Sequence, residues 1–528
     1  MSRNGSIKIL KMKLSRYLFS IMFSIGIILV IPGCNSAKSE KAKTPQKPNI
    51  IYILADDLGY GELGCFGQEL IETPNIDKLV ENGIKFTQHY SGAPVCAPSR
   101  CVLLTGKHMG HAQVRGNDEW RERGDVWGYK SMLADSTLEG QRPMAEGTVT
   151  IANKMQDAGY KTAMFGKWGL GAPQTHSIPT KMGFDFFVGY NCQRMAHTFY
   201  PTHLYKNEAR LHLGNDTIAP NTKLDKGADP YDLNSYKKYN LQNYSSTVMF
   251  EGLTGFVKEN KRNPFFVYWA TPIPHAPLQA PQKWVDYYVN KFGDEEPYLG
   301  DNGYFPCRYP HATYAAMVSY FDENVGKLVQ QLKDLGIYDN TLIIVTSDNG
   351  ATYNGGTDSP WFNSGGPFKS EYGWGKGYTH EGGIRTPMVA AWPAKISAGV
   401  ESDHISAFWD VMPTLCEIAG IYSPEEIDGI SFLPALTGGN QTPHDHLYWE
   451  FPSYGGQQAV RKGKWKAIRK NIMKGNMELE LYNLDEDIQE QNNIAEQHPE
   501  IVKQMEAIMV KEHVPAASAR FHMKELGD

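Results

Sequence analysis

The sequence predicts an α/β protein: a mixed, mostly parallel sheet flanked by helices, followed by a smaller C-terminal domain of antiparallel sheet plus helix. Three observations carry that prediction. Asn49-Ile50-Ile51-Tyr52-Ile53-Leu54-Ala55 is apolar on both faces, as a strand covered above and below must be, and the same form recurs at Pro264 to Ala270 and at Asn340 to Ser347. From Thr313 to Leu335, the residues Tyr314, Met317, Phe321, Val325, Leu328, Leu332 and Leu335 fall at intervals of three and four. This predicts an amphipathic surface helix against the sheet, closed by Gly336. Near the C-terminus, Ala459 to Ile468 reads as a hairpin, Leu479 to Leu484 as a further strand, and Pro499 to Val510 as a helix covering them. Thr202 to Ser245, weakly periodic and rich in Asn, Asp and Lys, is expected to be an irregular insertion over the active face.

The first residues describe an address rather than a fold. Arg3, Lys8, Lys11, Lys13 and Arg16 precede an apolar stretch from Tyr17 to Pro32 that stops at Gly33-Cys34, the form of an export signal. The stretch is shorter than the roughly 20 residues a bilayer-spanning helix needs. Ile31-Pro32-Gly33-Cys34 resembles a bacterial lipoprotein processing site, which implies lipid on Cys34, and Asn35 after it implies the outer membrane. The expected protein is therefore exported to the periplasm or cell surface as an outer-membrane lipoprotein. Its expected units are a signal peptide (1–33), a solvated tether (34–46), a catalytic domain (47–434), an α+β subdomain (435–515) and a tail (516–528) that need not be ordered.

Composition narrows the function. Of the 52 Lys and Arg residues, five precede Cys34 with no acidic residue among them, so the mature chain sets 47 basic against 58 acidic residues, a formal charge of −11. Nucleic acid is thereby disfavoured as a partner, and any anionic substrate must be met by a local group of cations. The six cysteines after Cys34 describe no disulfide framework in a chain of 528 residues.

Polar residues stand just past the ends of the three apolar strands: Asp56-Asp57, His275 and Asp348-Asn349. Open α/β sheets place their sites there. Three carboxylates and an amide oxygen make a hard-oxygen set that suits Ca²⁺ or Mg²⁺ and offers no sulfur or imidazole for zinc.

Leu54-Ala55-Asp56-Asp57-Leu58-Gly59-Tyr60-Gly61, Cys96-Ala97-Pro98-Ser99-Arg100, Gly166-Lys167-Trp168, Asp348-Asn349-Gly350, and Gly375-Lys376-Gly377 with Glu381-Gly382-Gly383-Ile384-Arg385 resemble, in order, the motifs of the sulfatase family. The resemblance implies an alkaline-phosphatase-like fold and a maturation enzyme that oxidises Cys96 to formylglycine, whose hydrated aldehyde is the nucleophile. It also implies Ca²⁺, with Mg²⁺ the lesser fit, held by Asp56, Asp57, Asp348, Asn349 and an oxygen of residue 96. By the same resemblance Arg100 orients the nucleophile, Lys167 and Lys376 pair with sulfuryl and ester oxygens, and His275 protonates the leaving alcohol.

One position departs from the family. Where many sulfatases read Gly-Lys-Trp-His-Leu-Gly, this chain reads Gly166-Lys167-Trp168-Gly169-Leu170-Gly171. The family histidine there takes a proton as sulfate leaves, and glycine cannot. The candidates to replace it are His176, His197, His203, a water or Asp348. Phe187 to His197, followed by Tyr200 and His203, is dense in aromatics and hydrogen-bonding groups. Asn191, Gln193, Arg194, His197, His203 and Trp374 are the expected substrate-binding residues, with His380 and Tyr454 as further walls. With Gly169, this stretch resembles a bacterial carbohydrate-sulfatase subgroup that includes enzymes for 4-O-sulfated galactose or N-acetylgalactosamine, so a sulfated glycan is the implied substrate. Two alternatives are a phosphoesterase of the same superfamily and a non-catalytic glycan-binding lipoprotein.

Overall fold

A computed structural model describes residues 47–528. The export signal, Cys34 and the tether lie outside the described residues. Eleven strands form the main sheet: β1 (Asn49–Asp56), β2 (Ile84–Tyr90), β3 (Lys161–Lys167), β4 (Phe186–Tyr190), β5 (His203–Lys206), β6 (Ala209–His212), β7 (Phe265–Pro274), β8 (Thr341–Ser347), β9 (Arg385–Ala391), β10 (Val400–Ser402) and β11 (Ser406–Ala407). Their order is β10-β2-β9-β8-β1-β7-β3-β4-β5-β6, with β11 also pairing on β2. The three strands with both faces apolar lie side by side at its centre, β1 running parallel to β7 and to β8. Every residue of β1 is buried. Ile51 and Ile53 enter one core cluster with Val267, Ile343 and Val345, while Tyr52 and Leu54 enter the other with Tyr268 and Ile344. Antiparallel pairing is confined to the flanks, at β8–β9, β2–β9, β4–β5 and β5–β6.

The helix predicted from Thr313 to Leu335 spans Pro310–Asp334 and is more buried than a surface helix, with Ala312 to Asp322 enclosed on every side. Its small and aromatic residues there let sheet and neighbouring helices close around it. The expected insertion from Thr202 begins instead with the β5–β6 hairpin, which widens the sheet by two strands. Asn207 turns it at φ 55°, a left-handed conformation that Asn tolerates better than most residues.

A second sheet runs β12 (Leu447–Phe451), β13 (Gln457–Lys462), β14 (Trp465–Lys470) and β15 (Glu480–Asn483), all antiparallel. Alternation along these strands serves two cores. Tyr448, Val460, Ala467 and Leu481 meet Met505 and Met509 of the Pro499–Glu512 helix. Leu447, Trp449, Ala459, Ile468 and Tyr482 face the main core, so residues 47–528 form one contact unit. The tail is packed as well: Phe521 and Met523 are buried, and Asp528 Oδ1 lies 2.9 Å from His513 Nε2. Among the described residues no helix is long and apolar enough to cross a membrane.

A buried charge cluster joins the two sheets. Lys466 Nζ of β14 reaches Glu381 Oε1 at 2.8 Å and Glu490 Oε1 at 3.3 Å, and all three side chains are shielded from solvent. Burial raises the Glu490 pKa to about 7, with Lys466 opposing. Removing the lysine strands Glu490 in a dry interior and leaves Glu381 with Arg385 and Tyr90, so Lys466→Met is expected to cost about 3 kcal/mol in denaturant unfolding. A loss below about 1 kcal/mol would show that the cluster does not hold the sheets together.

Candidate active site

Strand register assembles the site. Ala55 of β1 stands level with Ser347 of β8, and Ala270 of β7 pairs with both Leu54 of β1 and Gly166 of β3. The residues that follow, Asp56-Asp57, Asp348-Asn349, Lys167 and the run to His275, therefore emerge together at one edge of the sheet. Asp57 turns the chain there at φ 67°, and its N–H donates to Asp348 Oδ1 at 3.2 Å.

Cys96 opens a helix, Cys96–Thr105, in which every residue is buried. Val95 before it supplies no side-chain cap, and Asn117 Oδ1 accepts the Ala97 N–H instead at 3.2 Å. The Cys96 thiol donates to Asp56 Oδ1 at 3.2 Å. Arg100, one turn later on the same helical face, donates to Asp348 Oδ2 through Nε at 3.0 Å and Nη2 at 2.8 Å. Its Nη2 also lies 3.3 Å from Asp56 Oδ2, and Nη1 donates to the Lys167 carbonyl. Lys167 Nζ stands 2.6 Å from Asp56 Oδ2, and Lys376 Nζ stands 2.7 Å from the Asp57 carboxylate. His275 Nδ1 donates to the Ala276 carbonyl at 2.5 Å, which leaves Nε2 facing the site, 3.7 Å from Asp57 Oδ2.

Three buried acids thus face three cations, and the balance is uneven. Burial alone would raise Asp56, but Lys167, with Arg100 and Lys376, holds its carboxyl well below the usual range. Asp57 is raised by burial against the pull of Lys376. Asp348 is pushed up to about 7 by burial and the charge of Asp56. A further cation among these groups would relieve that cost. The donor set fits one: Asn349 donates through Nδ2 to Asp57 Oδ1 at 2.8 Å, while its Oδ1 is buried without a hydrogen-bond partner. With the carboxylates of Asp56, Asp57 and Asp348, this amide oxygen could hold a hard divalent ion. Ligand atoms of Asp56, Asp57, Cys96 and His275 also lie within 4.8 Å of one another. Burial and Asp56 push the Cys96 thiol up to about 12, so at neutral pH it is protonated and a poor nucleophile as encoded.

The structure brings together Asp56, Asp57, Cys96, Arg100, Lys167, His275, Asp348, Asn349 and Lys376. His197 joins them, stacked on His275 with centroids 5.6 Å apart, and Tyr304 meets both rings edge-on. Burial, then the neighbouring positive groups, lowers both imidazoles well below their ordinary pKa. The other two histidines considered for the Gly169 role are engaged elsewhere. His176 Nε2 lies 2.6 Å from the Met144 carbonyl. His203 is held 3.0 Å from Glu139, a carboxylate shared with Tyr205 and Arg210, so it knits the edge hairpin and is not a substrate-facing group.

Gln193 occupies the space that Gly169 opens. A Cβ on residue 169 would stand 2.7 Å from Gln193 Cγ, and the backbone there has φ 74°. Gln193 Nε2 in turn approaches Asn117 Oδ1 at 3.4 Å. Gln193, Arg194, His197, Asn117 and Trp127 share the lining of a cavity of about 290 Å³. Asn191 is buried with neither amide atom bonded. Trp374 shares the Lys376 loop but packs between His380 and Lys369. Tyr454 lies on Gly377, beside Lys376. Asn117, Trp127 and Tyr304 were not identifiable from sequence: none sits at a strand end or in a motif, and only the run Arg115-Gly116-Asn117-Asp118-Glu119-Trp120 hints at a polar loop with an aromatic.

Buried cations, a hard-oxygen pocket and a helix-start residue at the end of a parallel sheet define a hydrolase site for anionic esters. The chain belongs to the sulfatase family and is a sulfuric ester hydrolase: the sulfatase family model matches residues 48–421, and that of the N-sulphoglucosamine sulphohydrolase C-terminal region matches residues 370–514. It is 32% identical over 432 residues to N-acetylgalactosamine-6-sulfatase of Canis lupus familiaris, covering 81% of this chain and 72% of that one. It is 27% identical over 537 residues to an N-acetylgalactosamine-6-O-sulfatase of Bacteroides thetaiotaomicron, covering 91% and 96%. Among solved structures, Ps i-CgsB in complex with k-i-k-neocarrahexaose superposes with a TM-score of 0.67 at 28% identity, covering 88% of this chain and 92% of that one.

Any side chain at residue 169 must adopt a left-handed backbone and displace Gln193. Gly169→Ala is therefore expected to lower stability by about 1–2 kcal/mol. Pairing it with Gln193→Ala should recover part of that loss, and equal losses in the single and double variants would contradict the packing argument.

Proposed function

We propose that the chain hydrolyses sulfate monoesters of carbohydrates, using formylglycine made from Cys96 and a calcium ion held by Asp56, Asp57, Asp348 and Asn349. The observation that carries this reading is Cys96 itself: a buried thiol bonded to Asp56 at the start of the helix that bears Arg100, with a pKa near 12 that makes it unfit to attack without conversion. Oxidised and hydrated, residue 96 would supply an oxygen nucleophile, and calcium would supply charge neutralisation and acidify that hydroxyl.

The chain's own residues account for the rest. Arg100, fixed by Asp348 and the Lys167 carbonyl, holds the first turn of the helix and one side of the nucleophile. Lys167 and Lys376 are paired with Asp56 and Asp57 in the free site and offer their ammonium groups to sulfuryl oxygens as the ester enters. His275 has its Nδ1–H committed to a carbonyl, so its transferable proton resides on Nε2, the atom that faces the site. Its depressed pKa means that the ring gains this proton only as the anionic ester arrives. The outcome is cleavage by water of the sulfate ester to alcohol and sulfate.

The relatives support a choice of sugar. Those from dog and Bacteroides thetaiotaomicron are named for the 6-sulfate of N-acetylgalactosamine, which favours the 6 position over the 4-O-sulfate expected from the Gly169 stretch. Export and lipid anchoring of Cys34 remain part of the proposal, supported by the N-terminal sequence alone. Outside a cell, the substrate would be a sulfated glycan.

Turnover of an aryl sulfate and an aryl phosphate with the same leaving group tests the reaction, and preference for the phosphate would overturn it. N-acetylgalactosamine 6-sulfate and 4-sulfate then test the position. His275→Ala should lower kcat by about 10²-fold or more on the sugar sulfate, whose alkoxide needs a proton. On a nitrophenyl sulfate, which leaves unaided, the loss should be much smaller. Equal losses on both would remove His275 from the proton-donor role.

A further inference from the structure

Two arginines beside the site make no direct salt bridge, although Arg194 has the buried Glu119 as an electrostatic neighbour, a carboxyl that burial raises to about 7 against the pull of Arg194. Among the described residues neither Arg121 nor Arg194 forms an ion pair; Arg194 Nη1 donates to the Val126 carbonyl at 3.1 Å. Both instead lie against Trp127, Arg194 at 5.0 Å and Arg121 at 5.8 Å from the ring centroid. Trp127 itself is 51% exposed. A cation held over an indole is positioned without being neutralised, so its charge and its planar N–H donors stay available to a ligand.

The position of this group gives it a use. Trp127 and Arg194 line the same cavity as Gln193 and His197, with Glu119 as the one acidic residue in its wall. His197 stacks on His275, and Gln193 fills the space above Gly169 next to Lys167-Trp168, so the cavity opens beside the reacting groups. Folding gains little from an exposed tryptophan flanked by guanidiniums that make no direct salt bridge. A chain of formal charge −11 after Cys34 repels polyanions at long range, and a local pair of cations is what would admit one.

We propose that Arg121, Trp127 and Arg194 form a second anion subsite, which binds the carboxylate or sulfate of the sugar next to the one being desulfated. The preferred substrate is then an oligosaccharide with acidic neighbours, rather than an isolated monosulfated sugar. The inference rests on the sulfatase reading of the Cys96 site and adds a requirement on the rest of the ligand.

The test uses the wild-type holoenzyme and three disaccharides that carry the same sulfated sugar beside a neutral hexose, a uronic acid or a second sulfated hexose. The acidic neighbours should raise kcat/KM by about tenfold over the neutral one, mostly through KM, and the gap should close at high salt. Arg121→Gln and Arg194→Gln should each shrink that ratio about threefold, and the double variant should abolish it. Whichever acidic neighbour gains more identifies the anion as carboxylate or sulfate. A wild-type ratio near one, or variants that slow acidic and neutral disaccharides alike, would overturn the subsite. Absence of sulfate release from all three would instead contradict the hydrolase reading. Calorimetric binding of the same disaccharides to the Cys96→Ser protein then judges the subsite separately, since the acidic preference should persist in affinity and its absence would overturn the proposal.

Discussion

Buried charge compensation is the constraint on which the rest of the molecule depends. Asp56, Asp57 and Asp348 are carried into a dry interior by the ends of adjacent parallel strands, and Arg100, Lys167 and Lys376 are carried in from three other segments to meet them. Isolated carboxylates at such depth would take up protons or break the fold. Asp348 already tends that way, with a pKa near 7. The site is therefore under electrostatic tension, and the orphaned Asn349 oxygen marks where a hard cation would relieve it. In the proposed reaction an entering sulfate ester would use the same arrangement, each lysine exchanging a carboxylate for a sulfuryl oxygen.

The C-terminal sheet matters to the chemistry through this same loop. Gln457 of β13 accepts the Thr379 N–H at 3.0 Å and donates to the Gly377 carbonyl at 2.8 Å, so it clamps the turn that follows Lys376. Glu490 accepts the Glu381 N–H at 2.7 Å, and Lys466 neutralises both acids. Lys376 is thus held from behind by residues some 80 to 110 positions later in the chain, and the second sheet works as a support for the first.

Much of this was legible in the sequence, and what was hidden has physical causes. The strands β1, β7 and β8 announce themselves because both faces are buried, and their polar ends follow directly. The edge hairpin β5–β6 and the strand β12 are short, and His203-Leu204-Tyr205-Lys206 carries too little apolar signal to stand out from a loop. Nothing in the sequence requires the tail to be ordered, because Phe521 and Met523 are isolated there, yet both are buried in the fold. At the site, the residues that lie in motifs are the ones legible in the sequence and brought together by the fold, while contacts made across space leave no local signal. Gln193 fills the space beside Gly169 through a contact between segments 24 residues apart, and the sequence shows only that a histidine is missing. His203 follows a polar aromatic run, which suggests substrate binding, and only the fold reveals Glu139 as its partner.

The central claim is that residue 96 acts as a carbonyl rather than a thiol. Intact mass of the tryptic fragment Phe86–Arg100, taken from protein produced in its native host, tests this most directly. Conversion to formylglycine makes the fragment about 18 Da lighter than the encoded peptide, and that is the mass the account predicts. An unmodified thiol in a preparation that still releases sulfate would contradict it.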